Sequence, residues 1–135
     1  MHRIELIVRD SEVYVGGIVH NSVYFNYLEH ARNSYLRENK IDFMELATKR
    51  GVKFAQVSSE QQYKYPLMAN DRFYITTKIE KATSIQFLFK QKIIRLPDEK
   101  LILAANTIGV LTNENGYPIR VPKDIEAILT EMGIK

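Results

Sequence analysis

From Arg3 to Arg9 the apolar residues Ile4, Leu6 and Val8 alternate with polar neighbours, the period-two pattern of a half-buried strand. Gly16 and Gly17 then allow unusual backbone angles in a loop, and Asn21 or Ser22 is placed to cap a following helix. Between Ser22 and Glu38, Tyr24, Leu28, Ala31 and Tyr35 recur at offsets of four, three and four, and Phe25, Tyr27 and Leu36 widen that stripe. The pattern predicts a long helix wrapped on most sides. A second, short helix is expected in DFMELATKRG, capped by Asp42 and closed by Gly51 in a left-handed conformation.

After Val52 the period becomes that of strands. One runs from Phe54 to Tyr65 and stops at Pro66; the next, Arg72 to Lys81, sets Phe73, Ile75, Thr77 and Ile79 against Tyr74, Thr76, Lys78 and Glu80. In the third, Ile85, Phe87 and Phe89 are followed by Ile94 and Leu96, an apparent change of face near Gln91 and Lys92 that suggests a bulge. Pro97 and Asp98 reverse the chain, Leu101 to Leu111 forms the last long strand, and ENG at 114–116 supplies another turn. Pro122 at a first helical position, with Ile125, Ile128, Leu129 and Met132 before Gly133, marks a C-terminal helix.

This order implies an α+β fold: an antiparallel five-stranded sheet wrapped around one long central helix. A lone sheet of this kind leaves strand edges open, so pairing with a second copy is expected. No linker or repeat divides residues 1–135, and a chain of 135 residues is long enough to bury its own core as one domain.

Composition narrows the chemistry. The chain has no cysteine, which excludes thiolate nucleophiles, thiolate metal sites and disulfides. The start, MHRIELIVRD, alternates instead of showing the apolar core of a signal peptide, and no apolar run reaches membrane-spanning length, so a cytoplasmic protein is expected. The charge of +3 comes from interspersed lysines and glutamates without a basic block, which argues against nucleic acid but suits a polyanionic small ligand. His2, His20 and His30 lack metal-ligand spacing, and no G-x-S-x-G elbow is present. No metal and no cofactor is expected.

Four stretches, VRDSE, GGIVHNSVYFNYLEHAR, KYPLMANDRFYI and RLPDEKLILAANTIGVLTNENGYPIRVP, stand in an order that resembles the hotdog-fold thioesterases of the 4-hydroxybenzoyl-CoA thioesterase type. Within that group the chain is similar to the plant acyl-lipid thioesterases and their bacterial relatives, over nearly its whole length. The resemblance implies a hotdog fold, a homodimer or homotetramer, and hydrolysis of an acyl thioester on coenzyme A or acyl carrier protein where two subunits meet. In such enzymes a loop before the long helix carries an aspartate, and backbone amides at the helix start polarise the thioester carbonyl. A helix N-terminus suits that task, with unpaired N–H donors and a positive partial charge. Here the donors are expected from about Val23 and Tyr24.

Aligning on Gly17, Asn21, Val23 and Tyr24 puts Tyr14 on the aspartate position. A phenol of ordinary pKa, about 10, is protonated near neutrality and donates a hydrogen bond but is no base. Three readings follow. Glu29 on the helix, or Glu12 two residues before Tyr14, activates water; or the helix amides act with Asn21, His20 and Tyr14 and no carboxylate; or the fold holds an acyl thioester or fatty acid without cleaving it. Ser58, Ser59 and Glu60 are expected to border the site, and Lys90, Lys92 and Arg95 are candidates for the nucleotide phosphates, with a solvated sheet face as the plainer alternative.

Overall fold

The computed structural model of the chain describes residues 1–134. Five long strands, β1 (His2–Ile7), β2 (Lys53–Tyr63), β3 (Arg72–Lys81), β4 (Gln86–Leu96) and β5 (Lys100–Thr112), form one sheet in the order β1-β3-β4-β5-β2. Every neighbouring pair is antiparallel. A two-residue β6 (Pro118–Ile119) adds itself to Leu111 and Thr112 of β5. The helices are α1 (Asn21–Glu38), α2 (Phe43–Arg50) and α3 (Lys123–Glu131).

The alternation seen in the sequence decides which face of the sheet meets α1. Phe73, Ile75, Ile93, Leu103 and Ala105 turn inward and pack with Tyr24, Tyr27, Leu28 and Ala31 of the helix. A second cluster joins Leu36, Ile79, Phe87, Phe89 and Leu111 to Leu46 of α2 and to Ile125 and Leu129 of α3. As expected, Asp42 accepts from the Met44 amide at 2.9 Å, and Gly51 closes α2 at φ +64°.

Three expectations are corrected. β4 does not change face at Gln91: the register keeps Phe87, Phe89, Gln91 and Ile93 on one side, opposite Gly109, Thr107, Ala105 and Leu103 of β5. The irregularity lies between Ile93 and Ile94, where β5 carries the extra residue Ile102. Gln91 is therefore an inward-facing polar residue, tolerated because its amide nitrogen donates to the Leu28 carbonyl and to Thr77 Oγ1, both at 3.0 Å. The helix, moreover, is covered on one side only, with Phe25, Asn26, Glu29 and His30 exposed. Lastly, Pro122 is the N-cap of α3 and not its first helical residue.

Gly109 sits where the Phe54 ring crosses from β2, and a β-carbon there would collide with that ring. That ring stacks on Phe43 with centroids 4.7 Å apart and meets Phe89 edge-on at 5.8 Å. Gly109→Ala is expected to cost about 1–3 kcal/mol through overpacking, read as a lower urea midpoint at unchanged slope.

Candidate active site at the start of α1

The loop before α1 is a small hairpin. Val13 bridges Val19, the Tyr14 amide donates to the Ile18 carbonyl at 2.8 Å, and the Gly17 amide donates to the Tyr14 carbonyl at 2.7 Å. Gly17 adopts φ +87°, a conformation that a side chain would strain. Two further bonds pin the hairpin to the segment before β3: Val19 N–H to Leu67 O at 3.0 Å and Ala69 N–H to Gly17 O at 2.8 Å.

Glu12 ties the same loop to the helix. Its carboxylate accepts from the Arg9 amide at 2.8 Å, the Arg9 guanidinium at 3.1 Å and the Tyr27 hydroxyl at 2.8 Å, while its carbonyl accepts from the His20 amide at 3.0 Å. Burial by itself pushes the Glu12 carboxyl up, but the Arg9 amide, the Tyr27 hydroxyl and the Arg9 guanidinium outweigh it and hold the group below its usual value. Burial and the neighbouring Glu12 charge push the Tyr27 phenol upward, so it remains a donor. Glu12 is thus an anchored carboxylate, with both oxygens engaged, and it does not stand as a free base.

Asn21 and Ser22 are not caps: the helix begins at Asn21, its N-cap is His20, and among the described residues no side chain caps the first turn. Val23 already donates to the His20 carbonyl at 3.0 Å. The amides of Asn21 and Ser22, which have no earlier helical carbonyl to reach, are the open donors, two residues before those expected from the sequence. The Tyr14 ring, half exposed, lies over the His20 ring with centroids 3.7 Å apart, so both border this open turn. The Tyr24 side chain is buried, its hydroxyl accepting from the Leu67 amide at 2.9 Å, and burial pushes its phenol up.

Glu29 is exposed and lies eight residues beyond Asn21, about 12 Å along the axis, out of reach of the first turn of its own helix. The β2 candidates separate. A bulge between Gln56 and Ser58 reverses the alternation, so Ser59 pairs with Thr107 on the helix side, whereas Ser58 and Glu60 pair with Ile108 and Asn106 on the opposite face. Glu60, Lys90 and Lys92 line a hollow of about 580 Å³ on that outer face, and Arg95 is engaged by Asp98 at 2.6 Å.

Sequence reading missed Gln61 and Tyr63. With Ser59 they form a polar row on the helix-facing side of β2: Tyr63 donates to Gln61 Oε1 at 2.7 Å, Gln61 Nε2 to Ser59 Oγ at 3.4 Å, and Ser59 shares a bond with Thr107 at 3.2 Å. Tyr63 meets Tyr24 edge-on at 5.6 Å, which brings the row beside the first turns of α1. The signal was present in the alternation Ser59, Gln61, Tyr63, once counted from beyond the bulge.

Glu12→Ala is expected to lower stability by about 1–3 kcal/mol near neutral pH, since it leaves the Tyr27 hydroxyl and Arg9 amide unpaired. Because the folded-state pKa of Glu12 lies below its ordinary 4.5, its contribution is present above that value and lost as pH falls through the folded pKa. Denaturant titrations from pH 7 to pH 3 should show the difference between wild type and variant narrowing at the acid end.

Comparison with known proteins agrees with this architecture. Residues 8–129 match the Thioesterase-like superfamily. A chloroplastic acyl-acyl carrier protein thioesterase of Arabidopsis thaliana is 32% identical over 126 residues, which are 93% of this chain and 66% of that protein, so the chain spans just under two thirds of that relative. An acyl-CoA thioesterase of Haemophilus influenzae is 25% identical over 114 residues, 83% of this chain and 82% of that one. The crystal structure of a 1,4-dihydroxy-2-naphthoyl-CoA thioesterase from Synechocystis superposes with a TM-score of 0.89 over 97% of this chain and 96% of that one, at 15% identity. The sheet wrapped on α1 is the hotdog fold, and the chain belongs to the thioesterase-like superfamily.

Proposed function

We propose that the protein hydrolyses an acyl thioester, on coenzyme A or acyl carrier protein, to the free acid and thiol. The observation that carries this reading is the uncapped first turn of α1, whose Asn21 and Ser22 amides open beside the Tyr14 and His20 rings. An oxyanion developing on the thioester carbonyl would find there two N–H donors and the positive end of an 18-residue helix. Tyr14 stands where the resemblance implies an aspartate; it contributes a hydroxyl donor, and the side chains of Asn21 and His20 orient water. Ser59, with Gly17 and Val23 shaping the entrance, borders the acyl group. Relatives named for acyl carrier protein and for coenzyme A substrates support the substrate class and leave both carriers within the proposal.

The reading includes a homodimer in the cytoplasm. β2 is an eleven-residue edge strand with one side unpaired, and around it and the site hairpin stand exposed Tyr14, Val15, Ile18, Phe25, Val57 and Tyr63. Edge-to-edge pairing of two β2 strands would cover this surface. It would also bring Glu29 of one subunit toward the partner, the one route by which that carboxylate could serve a helix start.

A second reading is favoured by one observation. Glu12, the buried carboxylate of the entrance loop, is committed to Arg9 and Tyr27, so among the described residues it is not a free acid at the helix start. The protein would then bind an acyl thioester or fatty acid without cleaving it.

Thiol release from a panel of short, medium, long, 3-oxo and aromatic acyl-CoA and acyl carrier protein substrates separates the two. The hydrolase gives turnover that falls in Asn21→Ala, and Tyr14→Asp raises kcat by about tenfold or more, general-base catalysis being worth about 10²–10⁴. Saturable binding with no thiol release, in wild type and in Tyr14→Asp alike, would leave the binding reading and overturn the hydrolase.

A further inference from the structure

A groove of about 440 Å³ lies between α1, α2 and the first residues of β2. The stacked rings of Phe43 and Phe54 form its apolar wall, Arg37 and Lys53 stand exposed at its rim, and Arg32 reaches it from α1. Arg32 is 6% exposed, and its one hydrogen bond among the described residues runs from Nη1 to Gln91 Oε1 at 3.2 Å. Gln91 cannot turn to offer more, because its nitrogen is held by Leu28 and Thr77.

A guanidinium carries five N–H donors and stays cationic in a protein. Buried cations are normally matched by an acid, yet no ion pair of Arg32 forms among the described residues. Glu29 is the acid whose field reaches it, from an exposed position on the same helix. The unused donors are not sealed in the core either, since His2 Nδ1 is the sole fully buried side-chain polar atom left unpaired among the described residues. They open to the groove.

Position adds the second argument. Arg32 lies eleven residues beyond Asn21, about 16 Å along α1, and the row Tyr63, Gln61, Ser59 runs down β2 on the helix side in the same direction. An acyl chain whose thioester sits at the first turn would, at medium length, bring its far end to Arg32.

We propose that the groove is the distal end of the acyl subsite and receives a carboxylate there, bound by Arg32, so that the protein prefers thioesters of dicarboxylic acids over methyl-ended ones of equal length. This rests on the acyl-thioester reading above. The planar fork of a guanidinium matches a carboxylate with two parallel bonds, and Phe43 and Phe54 suit the methylenes behind it. Asp42, committed to capping α2, and Glu29 reduce the positive field, which favours a singly charged group over a phosphate.

The test uses non-hydrolysable S-alkyl thioethers of coenzyme A in matched lengths, one series ending in a carboxylate and the other in a methyl group, titrated into the full chain by calorimetry. The wild type should bind the carboxylate series about tenfold or more tighter at the best length, as expected for a charge-assisted pair out of water. The ratio should shrink in Arg32→Lys and approach one in Arg32→Gln. Equal affinity of the two series for the wild type, or a ratio that survives Arg32→Gln, overturns the proposal. So does a loss of both affinities together with a change of mass in sedimentation, which would make Arg32 an interface residue. Should Arg32→Gln not fold, the wild-type ratio and Arg32→Lys decide. Thiol release from methyl-ended substrates with no carboxylate preference overturns this groove assignment alone; carboxylate preference without thiol release supports the groove and overturns the hydrolase.

Discussion

One curled sheet can cover only one side of a helix. The inward residues of β3, β4 and β5 bury Tyr24, Tyr27, Leu28 and Ala31, and the opposite flank of α1 is left with Phe25, Asn26, Glu29 and His30 in solvent. From this limit come the features on which the proposed function rests: a helix start with no side chain among the described residues on its amides, an edge strand with one side unpaired, and a groove along α1 where the sheet stops. Each is a place where the single chain has not satisfied its own chemistry, and each is where a substrate or a second copy would do so.

The anchoring of the entrance loop follows from the same helix. Tyr27 lies on the covered side, and its hydroxyl finds the Glu12 carboxylate instead of water. That bond, with the Arg9 amide on the same carboxylate and the His20 amide on the Glu12 carbonyl, fixes the strand end, the hairpin and the helix start to one another through a single residue. The arrangement explains why a carboxylate two residues before Tyr14 is no substitute for one at Tyr14. It is spent on holding the loop that presents the position.

Much of this was legible in the sequence, for reasons that differ by element. The period of α1, the alternation of β3 and the Asp42 and Gly51 stops around α2 are local signals, and the fold respects them. The polar Gln91 was misread because the sequence shows only that an apolar run is broken; what permits it, the Leu28 carbonyl and Thr77, lies on other elements. Likewise Ser58, Ser59 and Glu60 look like one patch until the bulge after Gln56 sends Ser59 to one face and its neighbours to the other. The cap at His20 carries no side-chain signature at all, since it bonds through backbone alone.

Arg32 shows how these threads meet. A sequence gives it as one more charged residue at a helical offset, and its neighbour Ala31 as core. In the fold both are buried, and the difference is that alanine brings no obligation while a guanidinium brings five donors and a charge. Gln91 answers one of them, and Gln91 is itself held in place by the helix backbone it faces. The Phe89 ring lies under the guanidinium at 5.7 Å, yet a buried cation without an ion pair among the described residues is still expensive, and a better-packed apolar residue would stabilise the fold more. A charge at such a site, with unused donors beside the aromatic wall of Phe43 and Phe54, does little to hold the fold together, and that is the observation on which the proposed carboxylate contact stands.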